Sequence, residues 1–379
     1  FFFLMQMRDP DHMRAEKCAI TCRVAPSFVR VGHLELFARR ARQTYGGDAA
    51  AAAAAADSPV RRQLELMVRH ALMREYAEVT DPAAPLQPQV LAMMGAASQR
   101  LAQLAADWLR VGFNQGNFNS DNCLVGGRTM DYGPFGFIER FEPLWCMWVG
   151  GGEHYAFMNQ PKAAARNFGS LASAVMPLLD LKGRAEVEEL VEQFPQVMQA
   201  ALDRMWASKL GLPPGDAAVD PLITEALELL ERSEADYTLF WRQLAEIPAS
   251  TLAAEASDDA LVGVLLARDI FYRPLTAANR EAWVAWLRRY RDALLAAGSD
   301  GAQVAAAMRR VSPKYIPREW MLLDAYTAAD DGDYTPLRRL HALFEHPYDE
   351  QPDMEQQYYH RAPTAQYAGT GQAGVAFMS

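Results

Sequence analysis

Along most of the chain apolar residues return at intervals of three and four, the spacing that lines one face of an α-helix. On that pattern helices are expected over 33–45, 59–77 and 90–111, then over 162–181, 185–210, 221–244, 259–265, 279–297, 301–311, 318–330 and 335–344. Two segments break it. Between Cys18 and Val31, small and β-branched residues surround Pro26, which predicts two short strands about a turn. From Asn114 to Asn122 the chain reads NQGNFNSDN, a loop loaded with side-chain amides and a single carboxylate. The eight alanines Ala49–Ala56 follow Gly46-Gly47-Asp48 and are expected to form a loop expansion.

A length of 379 residues is more than twice the commonest domain size and leaves room for a sizeable core. The expected division is residues 1–180, carrying the amide-rich loop, a helical region over 181–355, and a flexible tail over 356–379 that is poor in large apolar residues. A formal charge of -10 offers no basic footprint for nucleic acid, and no run approaches the ~18 apolar residues of a membrane span. Neither nucleic acid nor a spanned membrane is expected as a partner. Cys18, Cys22, Cys123 and Cys146 fit neither a disulfide framework nor a zinc pattern, so a reducing compartment is expected. The opening Phe1–Met5 run is too short for a signal sequence and reads as a chain entered mid-domain. Six of the seven histidines, His33 among them, stand without ligand spacing and read as core or surface residues.

The chemistry concentrates between Asn119 and Gly133. Taking Gly126-Gly127 as a two-residue hairpin turn places Val125 opposite Arg128, Leu124 opposite Thr129, Cys123 opposite Met130 and Asn122 opposite Asp131. The last pair would then be cross-strand neighbours, about 5 Å apart at Cβ. An amide oxygen beside a carboxylate suits Mg²⁺, which takes one or two protein oxygens and completes its octahedron with water and phosphate. Asp121 adjoins this clamp, where a carboxylate could accept a proton from an attacking hydroxyl or help hold the metal. Asn, Asp and Gly are also the ordinary residues of turns, and the same string reads equally as a structural loop. Kinases pair a catalytic Asn with the Asp of DFG, and Asp131-Tyr132-Gly133 differs from DFG by one aromatic residue.

The segment VGFNQGNFNSDNCLVGGRTMDYGPFGFIERFEP, Val111 to Pro143, resembles the signature of the SelO (YdiU, selenoprotein O) family, whose bacterial members carry a close variant around N-T-D-N and D-Y-G-P. The resemblance extends to RVAPSFVRVGHLELF, FMNQP, EADYT, VSPKYIPREWM and LRRLHALFEHPY, and so covers nearly the whole chain. It implies an α+β, mainly α fold: a protein-kinase-like C-lobe with a catalytic β-hairpin, followed by a helical C-terminal extension. It implies Mg²⁺-dependent (or Mn²⁺-dependent) transfer of AMP from ATP to Ser, Thr or Tyr hydroxyls of proteins, with ATP and protein substrates as partners. By position Asp121 would be the proton acceptor, Asn122 and Asp131 the metal ligands, and Arg23 and Arg30, with Asp131, the nucleotide contacts. Guanidinium forks match phosphate oxygens, which gives the two arginines a physical reason.

Two departures from the family pattern stand out. Gln115-Gly116 replaces a His-Gly pair, and a Gly-rich loop, a phosphate-binding Lys and a helix-C Glu would lie before position 1, making the chain an expected C-terminal fragment, inactive on its own. Members of the family end in a short tail bearing a cysteine or selenocysteine close to the end, and the chain stops at Ser379, about where that residue would come. Ordinary phosphotransfer and a non-catalytic pseudokinase scaffold are the competing expectations.

Overall fold

The computed structural model describes residues 20, 22–44, 58–130, 132, 133, 135–252 and 257–362. The polyalanine run, Cys18, Asp131 and the chain beyond Ala362 lie outside the described residues. The fold is mainly helical, with one two-stranded sheet among the described residues.

Helices α1 (Val31–Thr44), α2 (Pro59–Glu75) and α3 (Leu86–Val111) follow the expected periodicity. Helix α3 buries Val90, Met93, Met94, Ala97, Leu101, Ala102, Ala105, Trp108 and Leu109, a stripe at three- and four-residue spacing. Each large side chain in such a stripe contributes roughly 1.5–3 kcal/mol. The helix ends at Gly112, whose φ of 81° closes a left-handed cap, its N–H reaching Leu109 O at 3.3 Å. That cap turns the chain into the sheet, where β1 (Phe113–Asn114) pairs antiparallel with β2 (Gly136–Phe137).

Helix α4 (Gln160–Val175) is followed by α5 (Leu181–Leu210), which Asp180 caps by accepting from Gly183 N at 2.8 Å. Helix α5 lies along α3. Near its end Lys209 is buried, donating to Arg110 O at 2.7 Å and Ser312 Oγ at 3.3 Å over the ring of Trp241. The ammonium thus serves the free carbonyls at the C-terminus of α3.

The expected single helix over 221–244 is two: α6 (Val219–Arg232) and α7 (Tyr237–Leu244). Between them Glu234 takes φ 49°, and the buried Asp236 caps α7 by accepting from Leu239 N at 2.9 Å. Asp236 is held there by Arg318, the residue preceding α12 (Glu319–Asp330), which also donates to Glu139 at 2.9 Å. An aspartate that caps a helix and finds a buried counter-charge outweighs the apolar spacing that continues through it.

The remainder comprises α8 (Glu246–Thr251), α9 (Asp258–Leu266), α10 (Ala277–Ala296), α11 (Gly301–Val311), α13 (Thr335–Glu345) and α14 (Pro352–Tyr358). Phe240, Trp241, Trp283, Trp286 and Tyr290 fill the centre of this half. Asp330-Asp331-Gly332-Asp333 is the turn between α12 and α13. Of the stretch 356–379 expected as a tail, the described part is packed: α14 runs to Tyr358, and Tyr358, Tyr359 and Ala362 are buried. Lys314 anchors this segment with bonds of 2.7 Å to both Glu350 and Glu355. Among the described residues no helix is long and apolar enough to cross a membrane.

Candidate active site

The amide-rich loop is built outward from β1. Asn114 is buried, donating to Tyr155 O at 2.8 Å and accepting from Met147 N at 3.0 Å. Gln160, at the start of α4, accepts from Gln115 N at 3.0 Å and donates to Phe113 O at 2.9 Å; Asn167, two turns on, donates to Phe118 O at 2.9 Å. Asn119 caps a short 3₁₀ turn, Ser120–Asn122, its Oδ1 accepting from Asp121 N at 3.0 Å and Asn122 N at 3.2 Å. Of the loop's own amides, Asn119 and Asn122 bond the loop's backbone, and Gln160 and Asn167 hold it from α4. The Gln115 side chain differs: it is fully buried, and both its polar atoms are hydrogen-bonded to nothing among the described residues.

Two groups are left to act outward. Asp121 is exposed, with its carboxylate over the first turn of α1. Asn122 donates through Nδ2 to Asn117 O at 2.9 Å, an orientation that leaves Oδ1 as a hard oxygen of the kind Mg²⁺ takes. Among the described residues no cluster of three or more His, Cys, Asp or Glu side chains could hold a metal. Asp131, the other expected ligand, lies outside the described residues.

The hairpin register differs from the expected one by a residue. Cys123 pairs with Thr129, and continuing that register sets Asn122 opposite Met130. Only Gly127, at φ 69°, enters the left-handed region, and its N–H reaches Leu124 O at 3.0 Å, so the loop is a three-residue turn rather than a Gly-Gly pair. The other edge of the same segment is also taken. Val31 N donates to Cys123 O at 2.9 Å and Val125 N to Val29 O at 3.0 Å, with a bridge between Arg30 and Leu124. In place of the two expected strands around Pro26, residues 22–29 are extended chain without strand pairing, and Arg30 forms the isolated bridge.

Helices α2 and α3 clamp the turn. Buried Glu75 is bonded bidentately by Arg128 at 2.6 Å, Tyr76 Oη donates to Val125 O at 2.6 Å, and Trp108 Nε1 donates to Thr129 Oγ1 at 2.9 Å. Gly126 and Gly127 have no side chain because Glu75 and Arg100 fill the space a Cβ would need. Glu75, Tyr76 and Arg100 were not singled out in the sequence, where Glu75 and Arg128 stand 53 positions apart.

Both sequence-predicted arginines reach this loop. Arg23 donates to Thr129 O at 2.8 Å and to Met130 O, with its guanidinium 4.8 Å from the Tyr132 ring centre. Arg30 donates to Asp121 O at 2.9 Å, while its Nε is buried and bonded to nothing among the described residues. His33, read from sequence as an ordinary core or surface residue, accepts through Nδ1 from Arg30 N at 3.2 Å. Its pKa is lowered by burial and then by the Arg30 charge, with Asp121 opposing. Burial pushes the Cys123 and Cys146 thiols up, so neither is a thiolate near neutral pH.

The structure brings Asp121, Asn122, Arg23 and Arg30 together on one loop. The chain is 37% identical over 342 residues to a protein nucleotidyltransferase YdiU of Thiobacillus denitrificans, covering 90% of this chain and 62% of that protein. It is 35% identical over 356 residues to the YdiU protein of Burkholderia pseudomallei, and 30% identical over 364 residues to that of Rhodopirellula baltica, covering 61% and 63% of those proteins. The chain thus spans about three fifths of the length of the curated relatives it matches. Residues 5–345 match the family described as protein adenylyltransferase SelO, and the chain belongs to that family.

Proposed function

We propose that this chain contributes the metal and proton-acceptor loop of an enzyme that transfers AMP from ATP to Ser, Thr or Tyr hydroxyls of proteins, on a kinase-like C-lobe. Family membership supports nucleotidyl transfer. The observation that supports this loop as its seat is the pairing of Asp121 with Asn122 on a capped turn whose neighbouring amides are spent on the backbone. The acceptor hydroxyl oxygen bonds to the α-phosphorus of ATP, the bond from that phosphorus to the bridging oxygen breaks, and pyrophosphate leaves. Asp121, exposed at the loop's edge, takes the hydroxyl proton. Asn122 and Asp131 would hold Mg²⁺ or Mn²⁺, which supplies charge neutralisation on the phosphate oxygens when bound. Arg30, whose Nε has no partner among the described residues, and Arg23 would contact the nucleotide phosphates.

The test incubates the full-length protein and its Asp121→Ala variant with a protein acceptor and ATP labelled at the α- or the γ-phosphate. Label carried from the α position, and lost in Asp121→Ala, is the expected result. Transfer of γ label alone would make the protein a phosphotransferase, and transfer of neither would make this chain a scaffold.

A further inference from the structure

Gly32 is the second residue of α1 and has no positive φ, so its backbone does not call for glycine. A glycine inside a helix costs stability relative to alanine, so its presence there needs another reason. The reason lies across the loop. A Cβ on Gly32 would overlap Asp121 Oδ1 and stand 3.0 Å from Asp121 Cγ and 3.3 Å from Asp121 Cα. By contrast, Gly95, Gly169 and Gly263, also helical, have nothing within 4 Å of that position.

The backbone around Asp121 is pinned independently of its side chain. Asn119 accepts from the N–H of Asp121, Arg30 donates to its carbonyl at 2.9 Å, and Val31 donates to the carbonyl two residues on, that of Cys123. What stays free is the direction of the carboxylate, and the space above Gly32 sets it. The positive dipole end of a helix's first turn favours a carboxylate there.

We infer that Gly32 is a positioning residue for Asp121: the missing side chain makes the seat in which the carboxylate rests, against the first turn of α1. Its consequence for catalysis rests on the reading of Asp121 as proton acceptor.

The experiment is a double-mutant cycle on the whole chain, comparing Gly32→Ala, Asp121→Ala and the pair, with Gly95→Ala as the control helix glycine. Gly32→Ala is expected to lower Tm where Gly95→Ala does not, and to lose that effect in the Asp121→Ala background. An equal Tm loss in both backgrounds, or none in either, overturns the inference. In the labelled-ATP assay Gly32→Ala is expected to lower kcat by about 100-fold, as a displaced catalytic group does, with KM for ATP at the wild-type value. Stability coupling together with undiminished AMP transfer by Asp121→Ala would confirm the seat and refute the proton-acceptor role, so the two readings fail separately.

Discussion

Arg318 donates to both carboxylate oxygens of Asp236, Nη1 to Oδ2 at 2.6 Å and Nη2 to Oδ1 at 2.9 Å, and neither side chain is more than 2% exposed. The same guanidinium meets Glu139, two residues beyond β2. One cation therefore joins the segment after the candidate loop, the break between α6 and α7, and the start of α12.

Removing one member of such a buried set costs about 3–5 kcal/mol, because the remaining charges lose their partner while staying out of water. Arg318→Met is expected to lower Tm strongly. Arg318→Met combined with Asp236→Asn and Glu139→Gln should recover most of the loss. Thermal unfolding of wild type and the two variants checks this, and a triple variant as unstable as the single one would show that the charges do not interact as a set.

Lys209 has no carboxylate among its hydrogen-bond partners, and burial, then the Arg110 charge, hold its pKa well below the ordinary 10.5. Between that lowered value and about 10 the unfolded chain binds a proton that the folded chain does not, so this group makes stability rise with pH. Below the window its penalty is constant. Subtracting the urea stability of Lys209→Met from that of wild type, pH by pH, is expected to leave a curve that climbs into the alkaline range. The subtraction matters because buried Cys123, with its raised pKa, pushes the opposite way as pH passes the ordinary thiol range.

Asn119 satisfies two backbone N–H groups with one oxygen. Asn119→Ala is expected to cost about 1 kcal/mol and to slow AMP transfer through kcat, whereas Asn119→Asp keeps the acceptor and should retain stability. Chemical denaturation and single-turnover rates measure the two effects.

Asn122→Ala is expected to raise the Mg²⁺ concentration needed for half-maximal AMP transfer without changing Tm by more than the lost bond to Asn117 O allows. A metal titration at saturating ATP reads this directly. An unchanged midpoint would remove Asn122 from the proposed ligand set.

The long helices were legible in the sequence because their signal is local: α2 and α3 announce themselves through spacing within a single face. The division of 221–244 was not, because the decisive partner of Asp236 stands 82 residues away. The hairpin was legible as a turn but not in register. Two adjacent glycines suggest a two-residue turn, yet Gly126 is glycine for the sake of Glu75, and only Gly127 needs a left-handed backbone. Asp121, Asn122, Arg23 and Arg30 could be chosen from residue type and resemblance. The groups that hold them, Gly32, Glu75, Tyr76 and Gln160, could not, since each acts across a distance that the linear order hides.

The strand-like segment Cys123–Val125 draws its partners from residues 29–31 on one side and from Thr129 on the other. The nearer partner is a few peptide units off, and the farther lies across a span that contains all of α2 and α3. Closing so long a loop costs entropy that only an already collapsed chain repays. The candidate site is therefore a late product of folding, assembled once the helices between its halves have docked. In pulse-labelled hydrogen exchange the amides of Val31 and Val125 should gain protection after those in the middle of α3, and kinetic traps of this protein should be species with a formed core and no catalytic loop.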